Sequence, residues 1–103
     1  MNMRRILSNI DYTKDSELLA RFAKALSHPV RIEILRHLDE CSCCTGELVD
    51  VFPLAQSTIS QHLKELKDVG LIQADVKPPK VKYCINKTNW EKAKKMFETL
   101  FKT

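Results

Sequence analysis

The chain has 103 residues, with Lys and Arg numbering 17 against 13 Asp and Glu, a formal charge of +4, and 44% hydrophobic and 29% charged residues. That is the balance of one compact soluble domain, and its apolar runs of a few residues, where a spanning helix needs roughly 20, exclude a membrane protein. With Gly46 and Gly70 as the only glycines, there is no Gly-rich phosphate loop or dinucleotide fingerprint; no Ser/His/Asp or Cys/His arrangement points to nucleophilic catalysis either, so an enzyme is not expected.

Residues 1–14 mix polar residues with scattered apolar ones (Ile6, Ile10, Tyr12) and read as an N-terminal arm. After Arg4 and Arg5 the chain turns polar before a signal-peptide core of about 7 to 15 apolar residues can form. A cytoplasmic location is therefore expected, with the four cysteines reduced and available for metal binding or thiol chemistry; a disulfide framework is not expected.

Residues 15–103 read as a single domain. Asp15 is placed to cap a first helix from about Ser16 to Leu26, whose inner face is Leu18, Leu19, Phe22, Ala23 and Leu26. The step Ser27, His28, Pro29 ends it and opens a second helix, with Val30, Ile34, Leu35 and Leu38 inward. Asp39 to Cys44 lacks a helical period and reads as a loop. Thr45 is placed to cap a third helix (Leu48, Val49, Phe52) that Pro53 stops. A fourth helix follows, marked by Ile59, Leu63, Leu66 and Val69 and closed at Gly70. The runs Leu71 to Val76 and Val81 to Ile85, joined across Lys77, Pro78, Pro79 and Lys80, suggest a two-stranded hairpin. Thr88 and Glu91 then match a capping box, opening a last helix with a stripe of Trp90, Ala93, Phe97 and Leu100, widened by Met96 and Phe101.

The fold class is thus mainly α with a small β-hairpin, in outline a winged helix-turn-helix. The outward face of the fourth helix carries Ser57, Thr58, Ser60, Gln61, Lys64 and Lys67. Short or hydrogen-bonding side chains of this kind let a helix enter the DNA major groove. Gln61 has the donor and acceptor for a two-pronged contact to adenine, and Lys77, Lys80 and Lys82 of the hairpin supply charge for phosphates or the minor groove. An ordinary solvated polar face would read much the same.

Two runs resemble a known family. Ala25, Leu26, Ser27, His28, Pro29, Val30, Arg31, Ile32, Glu33, Ile34, Leu35 looks like the ALSxPxRxxIL signature of the ArsR/SmtB family of bacterial metal-responsive repressors. The run from Ala55, Gln56 and Ser57 through His62, Leu63 and Leu66 to Val69, Gly70, Leu71 and Ile72 is similar to its recognition segment, with Ala55 where the family often has a capping Ser. The resemblance spans roughly Glu17 to Ile85. It implies a homodimeric repressor released from an operator in double-stranded DNA by an inducer. It also adds Gln56 and His62 to the DNA-binding set, His62 as a phosphate contact or in helix packing. His28 and His37 read as structural or solvated. The stripe of Trp90, Ala93, Phe97 and Leu100, with Leu19 and Phe22, serves either a monomer core or a second subunit, and the resemblance implies the dimer.

Cys41, Cys43 and Cys44 form a C-x-C-C cluster. Soft thiolates favour copper(I), zinc and similar ions, and the resemblance, whose soft-metal site lies at the start of the equivalent helix, adds cadmium, lead and trivalent arsenic as inducers. The family's C-x-C-x-D-L register places Cys43 at one ligand and Thr45 at the other, so Cys41 or Cys44 has to substitute. Thiol redox sensing is one alternative, although Asp39 and Glu40 oppose a depressed thiol pKa, and a cluster with no sensing role is the other. The family's other zinc site, in the last helix, needs His and carboxylate ligands; from Asn89 to Thr103 there is no His, Cys or Asp and only Glu91 and Glu98 remain, so that site is not expected. Cys84 reads as a packed strand residue. The remaining rivals are a winged-helix protein-interaction module without DNA binding and a small thiol enzyme using Cys43 or Cys44.

Overall fold

The computed structural model describes residues 14–41, 43–45 and 48–102, and of Cys41, Cys43, Cys44, Thr45 and Val49 the backbone alone. Of the expected arm, residues 1–13 lie outside the described residues, while Lys14 already belongs to the first helix. Helix α1 spans Lys14–Ala25 with Asp15 and Glu17 in its first turn and Lys24 in its last, the polarity that the helix dipole favours. Asp15 lies inside this turn and is not its cap. The Ser27 hydroxyl donates to the Lys24 carbonyl at 2.6 Å as the helix ends.

Helix α2, Pro29–Cys41, begins on a proline whose missing N–H costs nothing at that position. Its neighbour His28 acts as a cap, Nδ1 accepting from the Val30 amide at 3.2 Å. Ile34, Leu35 and Leu38 point inward and are buried. The loop expected from Asp39 to Cys44 does not exist as such: α2 continues through Cys41, because no proline or glycine interrupts it, and Cys43–Thr45 forms strand β1. Thr45 is a strand residue, not a helix cap. Helix α3 is a single turn, Leu48–Val51, that buries Leu48 and ends before Pro53.

Helix α4 spans Gln56–Asp68. Its end is a two-bond closure: the Leu71 amide donates to the Leu66 carbonyl at 3.1 Å and the Gly70 amide to the Lys67 carbonyl at 2.9 Å, with Gly70 at φ 84°, the left-handed position that an L side chain resists. A Cβ on Gly70 would also lie 2.7 Å from the Asn89 side chain. Strands β2, Ile72–Lys77, and β3, Lys80–Ile85, pair antiparallel around the cis Pro78–Pro79 bond. The expected two-stranded hairpin is two thirds of a sheet: the order is β1-β3-β2, with Cys43 opposite Cys84, Cys44 opposite Tyr83 and Thr45 opposite Lys82.

Helix α5 spans Lys87–Phe101, and its cap is Asn86, whose side chain accepts from the Asn89 amide at 3.1 Å. The capping box of Thr88 and Glu91 is therefore corrected, since Thr88 already lies within the first turn. The core is built from Phe22, Ala25, Ile34, Leu35, Leu38, Leu48, Ile59, Leu63, Leu66, Leu71, Ile72 and Ala93, drawn from every helix and from β2. Among the described residues no helix is long and apolar enough to cross a membrane.

Candidate nucleic-acid interface

Helix α4 separates its side chains by the helical period. Ile59, His62, Leu63 and Leu66 are buried, which leaves Gln56, Ser57, Thr58, Ser60, Gln61, Lys64 and Lys67 exposed. Gln61 Nε2 donates to Glu65 Oε1 at 3.0 Å, so its amide is held by an acceptor one turn further along the helix. Lys64 pairs with Asp68 at 2.9 Å; the hydrogen bond to Asp68 and that carboxylate's charge raise the Lys64 pKa. An exposed pair of this kind adds little to stability.

His62 departs from the DNA-binding set. It is 8% exposed, and its Nδ1 accepts from Arg31 Nε at 3.1 Å. Its ring centroid lies 4.4 Å from that of His28. Burial, then the nearby charges of His28 and Arg31, lower its pKa. A guanidinium only donates, so Nδ1 must be the unprotonated nitrogen. His62 thus takes the helix-packing role, fastening α4 to the start of α2, while Arg31 Nη1 reaches back to the Ala25 carbonyl at 3.5 Å. Arg31 has no place among the sequence candidates; its only signal is its position within the ALSxPxRxxIL run.

The hairpin packs against α4 through β2. Lys77, Lys80 and Lys82 are all exposed, Lys77 facing Lys80 and Lys82 facing Asp75 across the strands. With Asp75 they line a recess of about 200 Å³, and Lys77 lies 3.8 Å from Asp75. This pair leaves Lys80 and Lys82 as the hairpin cations with most freedom to meet an anion.

The side chains of Cys41, Cys43 and Cys44 lie outside the described residues, so the metal cluster is not placed. Among the described residues no three His, Cys, Asp or Glu side chains gather as a metal site. Cys84, however, is half-buried in β3 and disulfide-bonded. This corrects the expectation that all four cysteines stay reduced. The physical reason is the sheet: β1 pairs with β3, and cysteines far apart in sequence become neighbours.

The residues expected at a dimer interface divide. Phe22 at 1% and Ala93 at 5% exposure are consumed by the core of the single chain. Leu19, Trp90 and Phe97 are half-buried, whereas Leu100 at 48% and Phe101 at 75% project outward. Leu19, Met96 and Leu100 line a groove of about 320 Å³ between α1 and α5, and the Phe97 and Phe101 rings stack at 5.9 Å beside it.

Comparison with known proteins adds the lineage. The HTH-type transcriptional repressor SmtB of Mycobacterium tuberculosis is 44% identical over 52 residues, 50% of this chain and 38% of that protein, so the chain matches well under half of that relative's length. The arsenical resistance operon repressor of Bacillus subtilis is 37% identical over 81 residues, 75% of this chain and 76% of that one. Among solved structures, HlyU from Vibrio cholerae is similar with a TM-score of 0.69 and 31% identity, covering 87% of this chain and 95% of that one. Residues 28–74, from the His28 cap through α4 into β2, match the model described as bacterial regulatory protein, arsR family. With the full winged helix-turn-helix in place around them, the chain belongs to the arsR family of bacterial regulatory proteins.

Proposed function

We propose that this chain is a homodimeric, sequence-specific DNA-binding transcriptional repressor that works in the cytoplasm by binding and not by catalysis. The observation that carries the reading is the division of α4: one face buried and fastened through His62 to Arg31, the other an exposed set of Ser57, Thr58, Ser60 and Gln61 beside a lysine-bearing hairpin. Gln61 reads a base edge and Lys80 and Lys82 neutralise phosphates, with Gln56, Ser57, Thr58, Ser60, Lys64 and Lys77 supporting them. Two recognition helices about one duplex turn, roughly 34 Å, apart would protect a palindromic operator.

Footprinting on duplex DNA selected from a random library should show two symmetric half-sites. Gln61→Ala should cost about 1 to 3 kcal/mol and relax one base position, whereas Lys80→Ala should weaken all sequences alike and flatten the salt dependence. Equal effects of both changes on specific and random DNA would remove the base-reading role; no salt-dependent binding at all would favour a protein-interaction module.

The inducer is proposed to be a soft metal or metalloid ion held by Cys41, Cys43 and Cys44. Three soft sulfur donors within four residues fit zinc, cadmium, lead or trivalent arsenic by their chemistry, and a relative is named for arsenical resistance. Operator release by these ions from the reduced native chain, and not from a Cys41/Cys43/Cys44 triple Ser variant, is the expected result of the same binding assay.

A further inference from the structure

Cys84 offers a second kind of control, and the argument for it starts from the sheet. β3 is the central strand, bordered by β2 on one side and β1 on the other. Its Cys84 is disulfide-bonded, and the chain holds only three other cysteines, Cys41, Cys43 and Cys44. The antiparallel register sets Cys43 opposite Cys84, while Cys44 faces Tyr83 and Cys41 ends α2 outside the sheet. Directly opposite residues of an antiparallel pair have Cα atoms about 4.5 to 5.5 Å apart, within the span that a disulfide requires. The register thus singles out Cys43, and not Cys44 or Cys41, as the cysteine directly opposite Cys84.

We propose that Cys43 and Cys84 form a reversible dithiol–disulfide switch that clamps the start of the helix-turn-helix to the wing. This rests on the DNA-binding reading above and adds a second input to it. A cytoplasmic disulfide is characteristically transient or redox-sensing, which suits a bond placed between two functional elements. In the forming reaction, one thiolate attacks a hydroperoxide oxygen; the O–O bond breaks, an alcohol leaves, and the sulfur becomes a sulfenic acid. The second thiolate then attacks that sulfur, the S–S bond forms and water leaves. Both thiol protons are released and taken up by the departing oxygens, the two sulfurs together lose two electrons, and the hydroperoxide gains them. A low-molecular-weight thiol reverses the bond by exchange, ending as its own disulfide.

The position explains the consequence. β1 is a three-residue strand, Cys43–Thr45, short by the standard of stable strands, and it leads into α3 and α4. β3 carries Lys80 and Lys82 at the wing. With the bond closed, β1 is covalently fixed on β3 before DNA arrives, so the wing lysines and α4 are held in one arrangement. With the bond open, the same arrangement depends on a short backbone ladder and must be ordered on binding. Preorganisation of this kind raises affinity, so the oxidised form should hold the operator more tightly. The bond also takes Cys43 out of the soft-donor set, because a disulfide sulfur is no thiolate.

The test uses the full chain, reduced with a phosphine and then treated with hydrogen peroxide. Intact mass should fall by two hydrogens, and fragmentation of the non-reduced digest should join Cys43 to Cys84. Cys43→Ser and Cys84→Ser should each abolish that link, whereas Cys41→Ser and Cys44→Ser should retain it. A link through Cys41 or Cys44, or none, would overturn the pairing; Cys84→Ala repeats the test should the Ser variant fold poorly. Operator DNA selected from a random library should then bind the oxidised chain at least threefold more tightly than the reduced chain, a difference lost in Cys84→Ser. Equal affinities, or the reverse order, would overturn the switch and leave the DNA-binding reading standing. A correct link in a chain that binds no duplex in either form would instead overturn the DNA-binding reading.

Discussion

His62 shows how one side chain joins packing to chemistry. It sits on α4 among residues that face DNA in the proposed reading, yet it turns inward and accepts a hydrogen bond from Arg31. Burial first, and then the electrostatic influence of His28 and Arg31, hold its pKa below the ordinary 6.5, so the folded chain prefers the neutral ring. The sign of the linkage follows. Above about pH 6.5 both folded and unfolded states carry neutral His62 and its contribution is intact; as pH falls below that value the unfolded chain takes the proton first, and stability is lost until the pH passes the folded pKa. Urea unfolding between pH 7.5 and 5 should therefore show a falling midpoint. His62→Gln, which keeps an acceptor for Arg31 but cannot titrate, should show a shallower fall. Parallel curves for the two proteins would remove His62 from the acid response.

At the scale of elements, helix ends decide where functional faces lie. The closure at Gly70 delivers the chain from α4 directly into β2, with Leu66, Leu71 and Ile72 all buried at the junction. The Asn89 side chain donates to the Gly70 carbonyl at 2.9 Å, and the Asn86 amide donates to the Leu71 carbonyl at 2.9 Å. The first turn of α5 is thereby tied to the end of α4. Asn86 is the cap of α5, so Asn86→Ala should cost about 0.5 to 2 kcal/mol. Thr88→Ala, at an exposed position inside the first turn, should stay within about 0.5 kcal/mol. Denaturant midpoints separate the two cases, and a larger loss at Thr88 would restore the capping box that the local sequence suggests.

For the whole molecule, the exposed apolar end of α5 is the feature that a single chain leaves unfinished. Leu100 and Phe101 lie outward beside the α1–α5 groove, and in the proposed dimer this surface meets its copy. Leu100→Glu should be well tolerated by the isolated chain, where the side chain is half exposed. Against a second subunit it would bury an unpaired charge, at several kcal/mol. Sedimentation should then find a monomer with much weaker operator binding; a variant that stays dimeric would place the interface elsewhere.

What the sequence by itself determined is what short-range physics controls. The inward faces of α2 and α4 follow from apolar residues at helical spacing, as does that of α1 except at Ala23, which is exposed while Ala25 is buried; the breaks at Pro29, Pro53 and Gly70 follow from backbone constraints, and the hairpin from two β-prone runs around Pro78 and Pro79. The polar face of α4, with Gln61 and its neighbours, is legible for the same reason, since burying one side of a helix defines the other. Tertiary structure alone decided the rest. β1 has no periodic signal in three residues and exists through its pairing with β3. Asn86 outcompetes Thr88 as a cap where the chain leaves the sheet. His62 turns from candidate contact to fastener because Arg31 of a separate helix meets it. Cys84 is disulfide-bonded, and the sheet register that sets Cys43 opposite it is a proximity that no local pattern encodes.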